Sequence, residues 1–135
     1  GRRLTEMADD SWFDEKLHAP DHVKSLTTVA KTTFDNRPAY QVKLVCASGT
    51  ELVEYFDVET GLVIGSEATR ESGMGVLPAT SILRDYRKFG ALSEATTQLV
   101  RLMGIEQALH LSSFEYDTVP ANTFDLPPQI KALIK

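Results

Sequence analysis

His18 and His22 have the four-residue spacing at which one helix face presents two imidazoles to a zinc ion. Pro20 lies between them and breaks the helix that would give the spacing meaning, so both read as exposed loop side chains. His110 stands near Ser112 and Ser113, a base beside two hydroxyls. In a strand His110 and Ser112 merely share a face, and no orienting acid has a motif context, so a half-buried strand histidine is the simpler reading. Asp57 and Glu59 offer two carboxylates for general acid and base work. They flank a turn, where Asp favours the backbone geometry and both groups are expected to be solvated, and nothing nearby suggests a raised pKa.

Arg84-Asp85-Tyr86-Arg87 is dense in functional groups, but strand alternation sends Arg84 and Tyr86 to one face and Asp85 and Arg87 to the other. A cross-strand ion pair explains this run better than an anion site does. Gly73-Met74-Gly75 has two glycines, as phosphate loops do, yet it joins strand to strand rather than strand to helix. An enzyme on this chain would need Tyr40, Arg84, Tyr86, His110 and Ser112 to converge in one cup. With no catalytic residue, metal ligand or cofactor motif singled out, the reading leans away from catalysis and expects no cofactor.

The elements that must position these groups are mostly strands. From Ala39 to Ala47, Tyr40, Val42, Leu44 and Cys46 alternate with Gln41 and Lys43, the period of a β-strand. Ser48-Gly49 predicts a two-residue hairpin connection into a strand over Thr50 to Asp57, Val58-Glu59-Thr60-Gly61 a second turn, and Leu62 to Thr69 another strand. Before this meander, Ser25 to Phe34 is rich in threonine and valine and ends at Asp35-Asn36-Arg37-Pro38, which has turn chemistry. After it, a flexible connection over Glu71 to Gly75 leads to strands over Val76 to Arg87, Glu94 to Met103 and Gln107 to Tyr116. Pro78 suits an edge or a bulge rather than a sheet centre.

Leu4 to Leu17 has helical apolar spacing, and Pro127-Pro128 opens a short helix over Gln129 to Ile134. The fold class is therefore mainly β (α+β): a curved antiparallel sheet or half-barrel of about seven strands in meander order, with an N-terminal and a short C-terminal helix. Several strands are apolar on both faces, so something beyond a one-sided core is expected to cover the second face.

With 135 residues and 15.0 kDa, the chain is one domain with room for a core that needs no staples. The one cysteine, Cys46, cannot form an intramolecular bridge and reads as a small buried thiol. Nineteen acidic against fourteen basic residues give a net charge of -5, which disfavours nucleic acid as a partner. No apolar run is long enough for a transmembrane segment.

Tyr55-Phe56-Asp57-Val58-Glu59-Thr60-Gly61-Leu62, preceded by Arg37-Pro38-Ala39-Tyr40-Gln41-Val42 and the Ser48-Gly49 turn, resembles the bacterial outer-membrane lipoprotein-sorting (LolA/LolB-like) fold family. Asp85-Tyr86-Arg87 before Gly90, and Phe124-Asp125-Leu126-Pro127, follow in order. The chain departs from the family at Ala91-Leu92-Ser93-Glu94, where a Leu-Pro pair is usual, and the resemblance carries the expectation that the family's N-terminal strands are not included. The resemblance covers roughly Trp12 to Lys135, the C-terminal part of such a domain.

It implies a noncatalytic periplasmic or secreted protein whose half-barrel holds a lipid, a lipoprotein acyl chain or another hydrophobic small molecule. The expected ligand wall is the concave apolar side: Tyr40, Val42 and Leu44 from one strand, Leu52 and Phe56 from the next, then Leu62, Ile64, Leu99 and Leu111. The same residues would otherwise form an ordinary core. The alternative function is a structural or interaction module of a larger exported protein that forms a homodimer through its apolar second face, and a further one is an enzyme using the same cup.

Overall fold

Apart from Asp85 inside a strand, the positive φ angles of non-glycine residues fall where the chain reverses, and they explain why the hairpins are tight. Asp35 and Asn36 (φ 47° and 61°) make a two-residue turn between Phe34 and Arg37, and Met103 and Gly104 (φ 54° and 76°) do the same between Leu102 and Ile105. In the computed structural model residues 23–72, 75–115, 118–120, 122–131 and 133 are described. The helix expected over Leu4 to Leu17, and the His18 and His22 pair, lie outside them.

Seven strands follow one another: β1 (Val23–Phe34), β2 (Arg37–Cys46), β3 (Glu51–Asp57), β4 (Val63–Ser72), β5 (Gly75–Phe89), β6 (Leu92–Leu102) and β7 (Ile105–His110). Each pairs antiparallel with the next, in the order β1-β2-β3-β4-β5-β6-β7, and the curved sheet does not close. This is the expected meander. A short helix, α1 (Pro128–Lys131), follows, with Pro128 in its first turn, where a missing N–H costs nothing.

The boundaries differ for local reasons. Ala47 to Thr50 forms a longer loop than the expected two-residue connection, because Cys46 N–H bonds the Thr50 carbonyl and Gly49 N–H the Cys46 carbonyl. Glu71 and Ser72 are not part of a loose connection but pair with Val76 and Gly75. The last strand starts two residues early and stops at His110: Leu111 N–H still reaches the Thr96 carbonyl, after which Phe114 turns onto Phe89, ring centroids 5.8 Å apart. Pro78 sits in β5, but β6 pairs with β5 only from Ala79 onward, so the side of Pro78 away from β4 is open.

Both faces hold buried residues, Leu44, Cys46 and Glu54 on one and the main apolar cluster on the other. Ala39, Tyr55 and Ile64 are buried together, Phe34 and Val53 pack on them, and Ile82 is buried opposite Gly65. Phe34 of β1 stacks on Tyr55 of β3 with ring centroids 4.0 Å apart, an arrangement worth about 0.5–1.5 kcal/mol beyond its buried area. Phe34 also lies over Gly65 of β4. A Cβ on Gly65 would stand 2.4 Å from the Phe34 Cε1 and 2.3 Å from the Ser81 carbonyl oxygen. Gly65 is therefore the hole into which β1 folds.

Gly65→Ala is expected to destabilise the domain at the top of the roughly 1–3 kcal/mol range for overpacking, because one obstacle is backbone and cannot turn away. Urea denaturation followed by circular dichroism measures this. A loss below about 0.5 kcal/mol would mean that Phe34 is not held there.

Candidate functional site

Strand register assigns each candidate residue to a face. Tyr40, Val42 and Leu44 on β2 lie opposite Phe56, Glu54 and Leu52 on β3, so all share one side, which Leu26 and Thr28 extend on β1. Ala39, Gln41 and Lys43 share the other side with Asp57, Tyr55 and Val53. Of the expected ligand wall, Tyr40, Val42, Leu44, Leu52 and Phe56 thus stand together. Ile64 and Leu99 do not stand with them. Ile64 is packed with Ala39 and Tyr55, and Leu99 pairs with Ile82 on the core side. Leu111 lies beyond the last strand, and Leu62 in the turn before β4.

The cause for Ile64 is a bulge. Tyr55 pairs with Gly65 but Phe56 with Val63, so β4 spends an extra residue there and simple alternation fails. The sheet also bends toward the core face along the diagonal from the β1–β2 turn to β5. Asp35 and Arg84 are three to four strand spacings apart, roughly 14–19 Å on a flat sheet. They nevertheless meet: Arg84 Nη2 and Nε donate to Asp35 Oδ1 and Oδ2 at 2.6 and 2.7 Å. Along this diagonal the expected wall therefore lies on the side away from the bend.

On that outer side Leu26, Thr28, Tyr40, Val42 and Phe56 line a trough of about 340 Å³ that is open to solvent. Leu44 is fully buried beside it, while Leu26 and Tyr40 are 48% and 41% exposed. Lys31, opposite Tyr40 in β1, holds its ammonium 5.9 Å from the Tyr40 ring centre, a cation at one end of an apolar surface. Leu26 and Thr28 escape a reading of the sequence because β1 looks like a polar, threonine-rich strand; their alternation with Ser25 and Thr27 is the available signal.

The tempting catalytic groups have structural partners. Asp57 is not solvated as expected: its side chain is 6% exposed, with Arg37 Nη2 at 2.7 Å from Oδ2. Its Oδ1 accepts the Thr60 N–H, the Thr60 hydroxyl and the Glu59 N–H, which fixes the turn into Gly61. Arg84 is ion-paired across the core face rather than with a neighbouring strand. Tyr86 donates to the Val63 carbonyl on the same face, and His110 Nδ1 lies 3.3 Å from the Thr97 hydroxyl. Tyr40 is on the opposite face, so the five residues an enzyme would need do not converge. Among the described residues no cluster of three or more His, Cys, Asp or Glu could hold a metal.

Within β5, next to Arg84, Asp85 adopts φ 57°, and its carbonyl accepts the hydroxyl of the buried Thr96 on β6 at 2.7 Å. This conformation costs energy in a non-glycine residue. It accompanies the bend at which Arg84 and Tyr86 reach the core face.

Electrostatics follow the contacts. The Asp57 carboxyl is held below its usual value, first by the Thr60 N–H and hydroxyl, and that of Asp35 by its hydrogen bond from Arg84. Burial, then the hydrogen bond to Glu67, raises Tyr55 to about 12. Comparison with protein-family models, with curated proteins and with solved structures finds no match for this chain.

Two pH limits result. Lowered carboxyl pKa values favour folding at neutral pH, and that contribution is lost as pH falls below the unfolded value of about 3.9 toward the folded ones. The raised Tyr55 value favours folding below pH ~10, and the benefit is lost as pH rises toward about 12. Urea midpoints measured across the acid limb are expected to fall less steeply for Asp57→Asn than for wild type. Parallel acid limbs would show that Asp57 gains nothing on folding.

Proposed function

We propose that this domain is a noncatalytic binding protein that holds the acyl chain of a lipid or lipoprotein against its outer sheet face. The observation that carries this reading is the open trough formed by Leu26, Thr28, Tyr40, Val42 and Phe56. Its size is at the low end of small-molecule sites, about 300–1,000 Å³, and its walls are almost wholly apolar. An elongated hydrocarbon suits an open trough that crosses three strands. Each methylene removed from water there contributes up to about 0.8 kcal/mol. Lys31 at the Tyr40 end favours an anionic head group. Because the trough leaves one side of a bound chain in water, affinity in the micromolar range is expected rather than tighter binding.

The resemblance to lipoprotein-sorting domains supports the same ligand class, and a periplasmic or exported location accords with it. No helix among the described residues is long and apolar enough to cross a membrane. A loose ligand would reach this face from solvent without opening the core.

Titration with a fluorescent long-chain fatty acid tests the proposal. Wild type is expected to saturate, and Leu26→Asp, at a half-exposed edge position, to weaken binding about tenfold or more with an unchanged circular dichroism spectrum. No binding by wild type, or equal affinity for Leu26→Asp, contradicts the reading.

A further inference from the structure

The two edges of the sheet differ. β1 has register shifts between Val23 and Ser25 and between Thr28 and Ala30, and carries Lys24 and Lys31, all features that blunt an edge against further pairing. β7 (IEQALH) has a regular register with β6, no Pro and no Lys, and all six residues are exposed. Among the described residues it pairs only with β6.

The hydrogen-bonding groups left over on β7 can be assigned. Leu102 and Ile105 flank the two-residue turn, and Leu111 N–H donates to Thr96, so the odd-numbered residues direct their backbone groups at β6. The N–H and C=O groups of Glu106, Ala108 and His110 point outward.

We propose that two copies of this chain associate by antiparallel pairing of β7 with β7, about a two-fold axis at Ala108, continuing one sheet into the other. The sequence of β7 is complementary to itself in this register. Glu106 falls opposite the His110 of the second copy, twice, on the core-side face. His110 uses Nδ1 toward Thr97, which leaves Nε2 for that carboxylate, while Glu106 already receives Arg101 at 2.6 Å. A ladder of Arg101, Glu106 and the second copy's imidazole therefore crosses the junction, with no like charges opposed.

On the other face Leu109 lies diagonally across from its own symmetry mate and from the second copy's Ile105, within reach of long side chains. Ile105 and Leu109 are 64% and 63% exposed in one copy. Pairing would extend the small apolar groove of about 130 Å³ that Val100, Leu102, Met103, Ile105 and Gln107 already form. A foreign strand would satisfy the same backbone groups but not these repeated side-chain matches. A six-residue ladder is a small interface, so a concentration-dependent equilibrium is expected rather than an obligate dimer.

Sedimentation velocity of the whole chain, from low to high micromolar concentration, tests this. Wild type is expected to shift from monomer to dimer. Ala108→Pro removes an outward N–H without touching the β6 ladder, and Leu109→Lys puts a charge on the junction; each is expected to weaken dimerisation about tenfold or more. Should Ala108→Pro unfold, Leu109→Lys decides. Leu26→Asp, at the opposite end of the sheet, is expected to leave the dimer intact, which separates this surface from the acyl trough. A wild type that stays monomeric throughout, a dimer that survives Leu109→Lys, or one dissolved by Leu26→Asp overturns the proposal.

Discussion

The bare Cα of Gly65 is the point on which the fold depends. Because no side chain stands there, the Phe34 ring can cross from β1 to lie over β4 and stack on Tyr55. That contact pulls the β1–β2 turn inward until Asp35 meets Arg84 on β5. A flat seven-stranded meander would leave both faces in water. The folded corner instead gives one face a core of Ala39, Tyr55, Ile64 and Ile82, and the ion pairs of Arg84 with Asp35 and of Arg37 with Asp57 brace its rim.

Once the bend has a direction, the two faces have different roles. Polar side chains on the core side are committed to one another: Gln41 donates to the Tyr55 hydroxyl, which donates to Glu67. The outer side buries Leu44 and Cys46 yet leaves Leu26 and Tyr40 half-exposed around a trough. That asymmetry is the physical basis for proposing the outer side as the binding surface. The unblunted β7 edge is a separate consequence of an open meander, since a closed barrel would have no such edge.

Seven strands and their order are legible in the sequence because period-two alternation and Gly, Asn and Asp turn residues are local signals. The trough is partly legible: Tyr40, Val42 and Phe56 follow from alternation in β2 and β3 alone. Ile64 defeats alternation because a bulge beside Gly65 adds one residue to β4; the glycine is the one local sign of it, and alternation read without that sign puts Ile64 on the wrong face. Leu99 owes its face to a register counted across β4 and β5, which accumulates from pairings far apart in sequence. Asp57 looks solvated because its turn role is local, whereas its burial depends on Arg37 of a neighbouring strand. The direction of the bend, set by the long-range contact of Phe34 with Gly65, has no local signature at all.

Chemical-shift mapping by NMR during titration with a long-chain fatty acid tests whether the outer face binds while the bent face holds the core. Saturable shifts are expected at Leu26, Thr28, Tyr40, Val42 and Phe56, with Ala39, Tyr55, Ile64 and Ile82 unmoved. Shifts centred on Tyr55, Ile64 and Ile82, or none on the trough residues, would contradict this division of the two faces.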